Sequence, residues 1–90
     1  MAGYRLLIKP SAGKEIEALG QKKDRHRIVN PTAALASEPR PAGCEKLAGT
    51  EGRYRIRQGQ LRIVYAVDDA ARTVEVAKVG HRREVYRGAT

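Results

Sequence analysis

Four arginines crowd one short stretch of this chain with no acid among them. They are Arg53, Arg55, Arg57 and Arg62, within Arg53-Tyr-Arg-Ile-Arg-Gln-Gly-Gln-Leu-Arg-Ile-Val-Tyr-Ala-Val67. A guanidinium is always charged and donates in a fork, so the chemistry open to such a set is the capture of an anion, phosphate foremost. The alternation of apolar and polar residues predicts two antiparallel strands joined at Gly59-Gln60. Residues two apart share a strand face, so Tyr54 and Ile56 point one way and the three arginines of the first strand the other. A two-residue turn with glycine first pairs Ile56 with Ile63 and Tyr54 with Tyr65. It also sets Arg57 opposite Arg62, with Arg55 on the same face. Like charges directly opposite are destabilising, and no acid within the stretch relieves them. That cost points to an anion placed there.

The whole chain supports the same chemistry. Its net charge is +8 and its pI about 10.2, which implies a polyanionic partner, nucleic acid being the commonest and an acidic protein another. Twelve of its 18 basic residues are arginine, which favours bidentate phosphate contacts over diffuse attraction. Its single cysteine, Cys44, excludes an internal disulfide, fits a reducing compartment and reads as an incidental thiol. His26 and His81 are far apart, and no His–Cys cluster has metal-ligand spacing, so no cofactor is expected. Leu6-Leu7-Ile8 is too short for a signal peptide or a membrane span, which predicts a cytoplasmic protein with no membrane association.

Ninety residues make one domain, 1–90, with one modest core. A first strand is expected over Tyr4 to Lys9, ended by Pro10. Ser11 then caps a helix from Ala12 to about Leu19, with Ala12, Ile16 and Leu19 on its buried face and Gly20 as its stop. A second helix begins near Asp24, with Ile28, Val29, Ala33, Leu35 and Ala36 as its apolar content. Pro31 removes one hydrogen bond at a cost of ~3 kcal/mol, so a kink or break is expected there, re-capped by Asn30. Glu38 to Gly52 reads as a loop. The hairpin follows, then a turn at Asp68-Asp-Ala-Ala71. The last strand runs from Thr73 to Val79, with Val74 and Val76 on one face and Ala77 and Val79 on the other. Gly80 then releases the chain into a short tail. The fold class is α+β, with two N-terminal helices packed on a small, mostly antiparallel four-stranded sheet in the order β-α-α-β-β-β.

The order Lys46-Leu47-x-Gly49, Tyr54-Arg-Ile-Arg57, Gly59, Leu61-Arg-Ile-Val-Tyr65 and Val79-Gly-His-Arg-Arg-Glu-Val-Tyr86 resembles the RelE/ParE superfamily of bacterial toxins over nearly the whole chain. The resemblance implies a toxin held by a cognate antitoxin. RelE-type members cleave messenger RNA in the ribosomal A site, and ParE-type members inhibit DNA gyrase. Carried over by motif, the RelE catalytic set falls on Arg55, Arg57, Arg62, Arg82 and Tyr86. Lysine is frequent in the family at the first two of these positions.

These residues can serve a metal-independent cleavage in which the 2′-OH of RNA attacks the adjacent phosphorus, leaving a 2′,3′-cyclic phosphate and a free 5′-OH. Arg57 and Arg62 would clamp the phosphate, with Arg55 beside them. Tyr86 would take the proton, its pKa drawn below ~10 by nearby cations, and Arg82 would assist the leaving oxygen. The set lacks the histidines of an efficient free nuclease, so activity should depend on the ribosome to align the messenger RNA. Lys22, Lys23, Arg25 and Arg27 form a basic run that is either a solvated helix face or a contact for ribosomal RNA. Arg53, Lys46, His81 and Arg83 are further candidates for RNA or ribosome contact. Arg72 and Arg87 read as solvated charges, Tyr54 and Tyr65 as core. Two other readings stand beside the nuclease: a gyrase inhibitor, and a nucleic-acid binder without activity. The expected antitoxin is acidic where it covers the arginine face.

Overall fold

A computed structural model describes residues 3–20, 22–47 and 52–81 of the chain. The elements run β1 (Arg5–Ile8), α1 (Pro10–Glu17), α2 (Lys22–Ala34), β2 (Glu45–Lys46), β3 (Arg53–Gln58), β4 (Leu61–Asp68) and β5 (Thr73–His81). The sheet order is β1-β5-β4-β3-β2. β1 lies parallel to β5, and the other three pairs are antiparallel. The α+β class holds. The sheet has five strands rather than four, because Glu45 and Lys46, expected in a loop, pair with Arg55 and Tyr54 as a two-residue edge strand. Two residues are too few to show a periodicity.

One face of the sheet carries the core. Ile56, Leu61, Ile63, Tyr65, Val67, Val74, Val76 and Val79 meet Ala12 and Leu19 from the first helical segment and Ile28 and Leu35 from the second. Val79 was expected on the face opposite Val74 and Val76. It joins them because the β4–β5 register slips between Val64 and Tyr65: Val64 lies opposite Lys78 but Tyr65 opposite Val76. Ala77 is therefore a bulge residue, and one extra residue inverts the alternation beyond it. β5 also continues through Gly80 to His81 instead of ending at Val79.

Pro10 opens α1 rather than merely ending β1. Its fixed φ suits the first helical position, and its missing N–H would have no partner there in any case. The cap position is Lys9, without a side-chain hydrogen bond, so Ser11 is not the cap. The buried stripe is as expected, with Ala12 and Leu19 buried and Ile16 packed against the core.

α2 runs unbroken from Lys22 to Ala34, with Pro31 inside it and no second cap at Asn30. Ile28, Thr32 and Leu35 are all buried, at the i, i+4, i+7 spacing of one helical stripe. Packing of that stripe holds the helix through the proline. Val29, expected to be apolar content of the core, is 52% exposed. The proline still forfeits the bond to the Arg27 carbonyl. Pro31→Ala is therefore expected to stabilise the fold by about 1–2 kcal/mol, the helical gain being offset in part by a freer unfolded chain. A thermal melt should show a midpoint higher by about 5–10 °C. An unchanged midpoint would mean that packing of the pyrrolidine ring matches the lost bond.

Candidate nucleic-acid interface

The hairpin has the expected register. Tyr54 faces Tyr65, Ile56 faces Ile63, and Arg57 lies directly opposite Arg62. Gly59 has φ 63°, the left-handed value that a glycine-first turn requires. Because Ile56 and Ile63 are buried in the core, alternation turns Arg55, Arg57 and Arg62 together onto the opposite face. The structure thus brings three of the five predicted catalytic residues onto one surface. Arg82 and Tyr86, with Arg83 of the predicted RNA-contact set, lie outside the described residues.

The three arginines differ in what holds them. The Arg57 side chain is 61% exposed and the Arg55 side chain 15%. Arg62 is 6% exposed and donates through Nη1 to the carbonyls of Gly59 and Leu61, both at 2.9 Å, so its guanidinium braces the turn. An acid also stands beside them. Glu45 Oε1 lies 2.8 Å from Arg55 Nη2 and 3.3 Å from Arg57 Nε. No acid lies within the hairpin, but one arrives from β2, so the charge repulsion is partly relieved from outside the stretch. The hydrogen bond from Arg55, followed by the charges of Arg55 and Arg57, holds the Glu45 carboxyl below its ordinary range.

The other predicted contacts fall in three places. Lys22, Lys23, His26 and Arg27 line a shallow depression on α2 with Asn30. Arg27 brings this surface to the hairpin, its Nη1 lying 3.7 Å from where a Cβ on Gly59 would stand. Arg25 does not join them: half-buried, it donates from Nη1 to the Leu19 carbonyl at 3.1 Å and ties α2 to the end of the first helical segment. Arg53 and Lys46 line a cleft at the far end of the hairpin, together with Arg40, Asp68, Asp69 and Glu75. That cleft is of mixed charge. His81 pairs with Leu61, hence on the core side of the sheet, while Gly80 is the partner of Arg62. It therefore points away from the arginine face, toward a hollow lined by Glu15 and Asp24.

A polar cluster not foreseen from the sequence closes that far end. Arg40 donates to Asp69 through Nη1 and Nη2 at 3.2 and 2.8 Å and to the Tyr54 hydroxyl at 2.9 Å. The Tyr4 hydroxyl donates to the same carboxylate at 2.6 Å. Tyr54 stacks on Tyr65, ring centroids 5.8 Å apart, and the Tyr65 hydroxyl donates to the Pro39 carbonyl at 2.8 Å. Burial first, then the neighbouring Cys44, drives the Tyr65 pKa upward, so its hydroxyl remains a donor. These bonds clamp the long connection after α2 to the sheet and so help to set β2 beside β3. The only sequence signal was composition: one arginine, one aspartate and three tyrosines spread over 65 positions.

Hydrogen bonds from Arg40 and then Tyr4 hold Asp69 below the usual carboxylate range. A carboxylate depressed in the folded state adds stability above its unfolded pKa, and that stability is lost as pH falls through the folded value. Glu45 has the same sign. The melting temperature should therefore fall as pH drops from about 5 to 2. Asp69→Asn should flatten that fall in melts recorded across the range, and an unaltered slope would show that the cluster is not the source.

Among the described residues no group of three or more His, Cys, Asp or Glu is placed to hold a metal ion, and no helix is long and apolar enough to cross a membrane.

Comparison with known proteins agrees with this geometry. The family of the ParE toxin of the type II toxin–antitoxin system, parDE, matches residues 6–86. Toxin RelE of Mycobacterium tuberculosis (strain ATCC 25618 / H37Rv) is 27% identical over 84 residues, which span 93% of this chain and 87% of that protein. A doubly substituted E. coli toxin RelE, solved in the free state, is 32% identical with a TM-score of 0.78, over 97% of this chain and 94% of that one. The same E. coli variant, solved with a peptide of its antitoxin RelB, is 33% identical with a TM-score of 0.72, over 100% and 96% of the two chains. An arginine face on a hairpin, carried by this sheet and helix pair and matched along nearly its whole length, makes the chain a member of the RelE/ParE superfamily, a toxin of a type II toxin–antitoxin system.

Proposed function

We propose that the protein is a ribosome-dependent endoribonuclease that cuts messenger RNA in the A site and so inhibits translation. The observation that carries this reading is the cross-strand pair Arg57–Arg62, with Arg55 on the same face. Opposed guanidinium groups are costly in the free protein, and the cost turns into stabilisation when a phosphate gathers charge between them. The 2′-OH of the RNA is the nucleophile, so the protein need only take its proton, stabilise the phosphorane and protonate the leaving oxygen. Arg57, the most exposed of the three, contacts the phosphate. Arg62 supplies a fixed charge behind it while bracing the turn. Tyr86 takes the proton and Arg82 assists the leaving group. The depression of Lys22, Lys23, His26 and Arg27 lies beside the hairpin turn and fits ribosomal RNA backbone. The reaction draws its nucleophile from RNA and its charge from arginine, and calls for no metal.

The protein partner is a cognate antitoxin with an acidic segment over the arginine face. Solved relatives in complex with RelB antitoxins, among them the intact E. coli RelBE complex at 32% identity, support an antitoxin partner; the acidic segment is argued from the charge of the arginine face.

A second reading, inhibition of DNA gyrase, draws on the matched family being that of ParE. The intact arginine face favours the nuclease. The experiment is primer extension on messenger RNA in a purified translation system, with wild type, Arg62→Ala and Tyr86→Phe, beside free RNA. Cuts at A-site codons that require ribosomes and vanish in both variants are expected. No cuts and undisturbed translation would refute the nuclease and turn attention to supercoiling by gyrase.

A further inference from the structure

We infer that Glu45 is a positioning residue of the arginine face: its carboxylate anchors Arg55 and holds Arg57 in the place a phosphate takes, so that binding hands Arg57 from Glu45 to the anion. The inference rests on the reading of Arg57 as the phosphate contact.

Three observations carry it. One carboxylate oxygen faces both guanidinium groups, but unequally: 2.8 Å to Arg55 Nη2 and 3.3 Å to Arg57 Nε. A charge-assisted bond between such groups is ordinarily about 2.7–2.9 Å long, so Arg55 is bound tightly and Arg57 loosely. The exposures run the same way, 15% for the Arg55 side chain and 61% for Arg57. Register then fixes where the acid sits. Glu45 is the cross-strand partner of Arg55, on the face that Arg55, Arg57 and Arg62 share, and its own side chain is 44% exposed and open to an incoming anion.

Electrostatics supplies the consequence. Arg55, Arg57, Arg62 and Glu45 together carry +2, and without the carboxylate the three arginines would carry +3. Glu45 thus lowers the resting affinity for phosphate while keeping Arg57 extended toward the site. A ligand that displaces it gains a guanidinium already oriented, which is how an enzyme limits ground-state binding without giving up transition-state contacts. A purely structural ion pair would lower the charge as well, but it would not keep Arg57 oriented toward the site.

The test separates these roles. Wild type, Glu45→Gln and Glu45→Asp are titrated with a short 2′-O-methyl RNA, which cannot be cut, and binding is followed by fluorescence anisotropy at several salt concentrations. Glu45→Gln should bind ~3–10-fold tighter at low salt and lose affinity more steeply as salt rises. Glu45→Asp should return toward wild type. On programmed ribosomes Glu45→Gln should lower both KM and kcat, the latter about tenfold, because tighter ground-state binding and a less oriented Arg57 act together. Binding by Glu45→Gln that is no tighter than wild type would overturn the inference. Should that variant fail to fold, wild type decides alone. In NMR titrations with inorganic phosphate the Arg57 Nε resonance should shift and the Arg55 Nε resonance should stay, and the reverse, or no shift of either, would overturn it. A wild type that binds the RNA as expected yet cuts nothing on ribosomes would refute the nuclease reading and leave the role of Glu45 to the binding results.

Discussion

Replacing Arg57 by alanine is expected to lower the rate of messenger RNA cleavage by ~10²–10³-fold, the usual loss when one preorganised donor to a transition-state oxyanion is removed. The fold should not suffer. The side chain is 61% exposed and its contact to Glu45, at 3.3 Å, is long. Exposed ion pairs contribute about 0–1 kcal/mol, and the substitution also removes the charge opposed to Arg62. The melting temperature should therefore stay level or rise slightly while activity collapses. Arg57→Lys keeps the charge and loses the fork, so it should recover only part of the rate. Single-turnover cleavage on programmed ribosomes, with a thermal melt of each variant, checks both halves. Unchanged cleavage would remove Arg57 from the site, and a large fall in stability would make it a structural residue.

The opposite pattern is expected of Ile28→Ala. Ile28 is fully buried and seats α2 on the sheet, among Leu35, Ile63 and Tyr65 in the core cluster. Truncating a buried isoleucine costs about 2–5 kcal/mol, through lost transfer energy and the cavity left behind. A domain of this size has only about 5–15 kcal/mol of stability in all, and each kcal/mol moves its midpoint by about 4–8 °C. Denaturant titration should show the loss at an unchanged m-value. Cleavage per folded molecule should change little, because the arginines lie on the other face of the sheet. A large loss of specific activity in protein that remains folded would mean that α2 controls the site through Arg27, whose guanidinium lies beside the turn at Gly59.

These two residues mark the two faces of one sheet, and their separation was legible from alternation. In the strand entering the hairpin the arginines alternate with Tyr54 and Ile56, although the returning strand is buried on both faces from Leu61 to Tyr65. Register followed from reading Gly59-Gln60 as a two-residue turn with glycine first, which sets Arg57 opposite Arg62. The buried stripe of Ala12, Ile16 and Leu19 was legible for the same reason, since helical spacing is local.

Most of what failed depended on partners distant in sequence. The two-residue strand at Glu45 exists because β3 offers it an edge and Arg40, Asp69 and Tyr65 clamp the connection before it. The continuity of α2 through Pro31 opposes local propensity and is held by the burial of Ile28, Thr32 and Leu35. The inward turn of Val79 comes from a one-residue slip against β4, invisible in β5 alone. Arg25 lay in a basic run that read as surface, but a carbonyl at the end of the first helical segment claims it.

By itself, then, the chain's order of residues determined a hairpin with its arginines on one face and the α+β class, because local periodicity and turn geometry are written into neighbouring residues; the family came separately, from the resemblance of its motifs. Only the tertiary structure decided that the three arginines are unequal, one braced against backbone, one anchored to Glu45 and one exposed and only loosely paired with the same carboxylate. Burial and ion pairing are set by which segments meet in space.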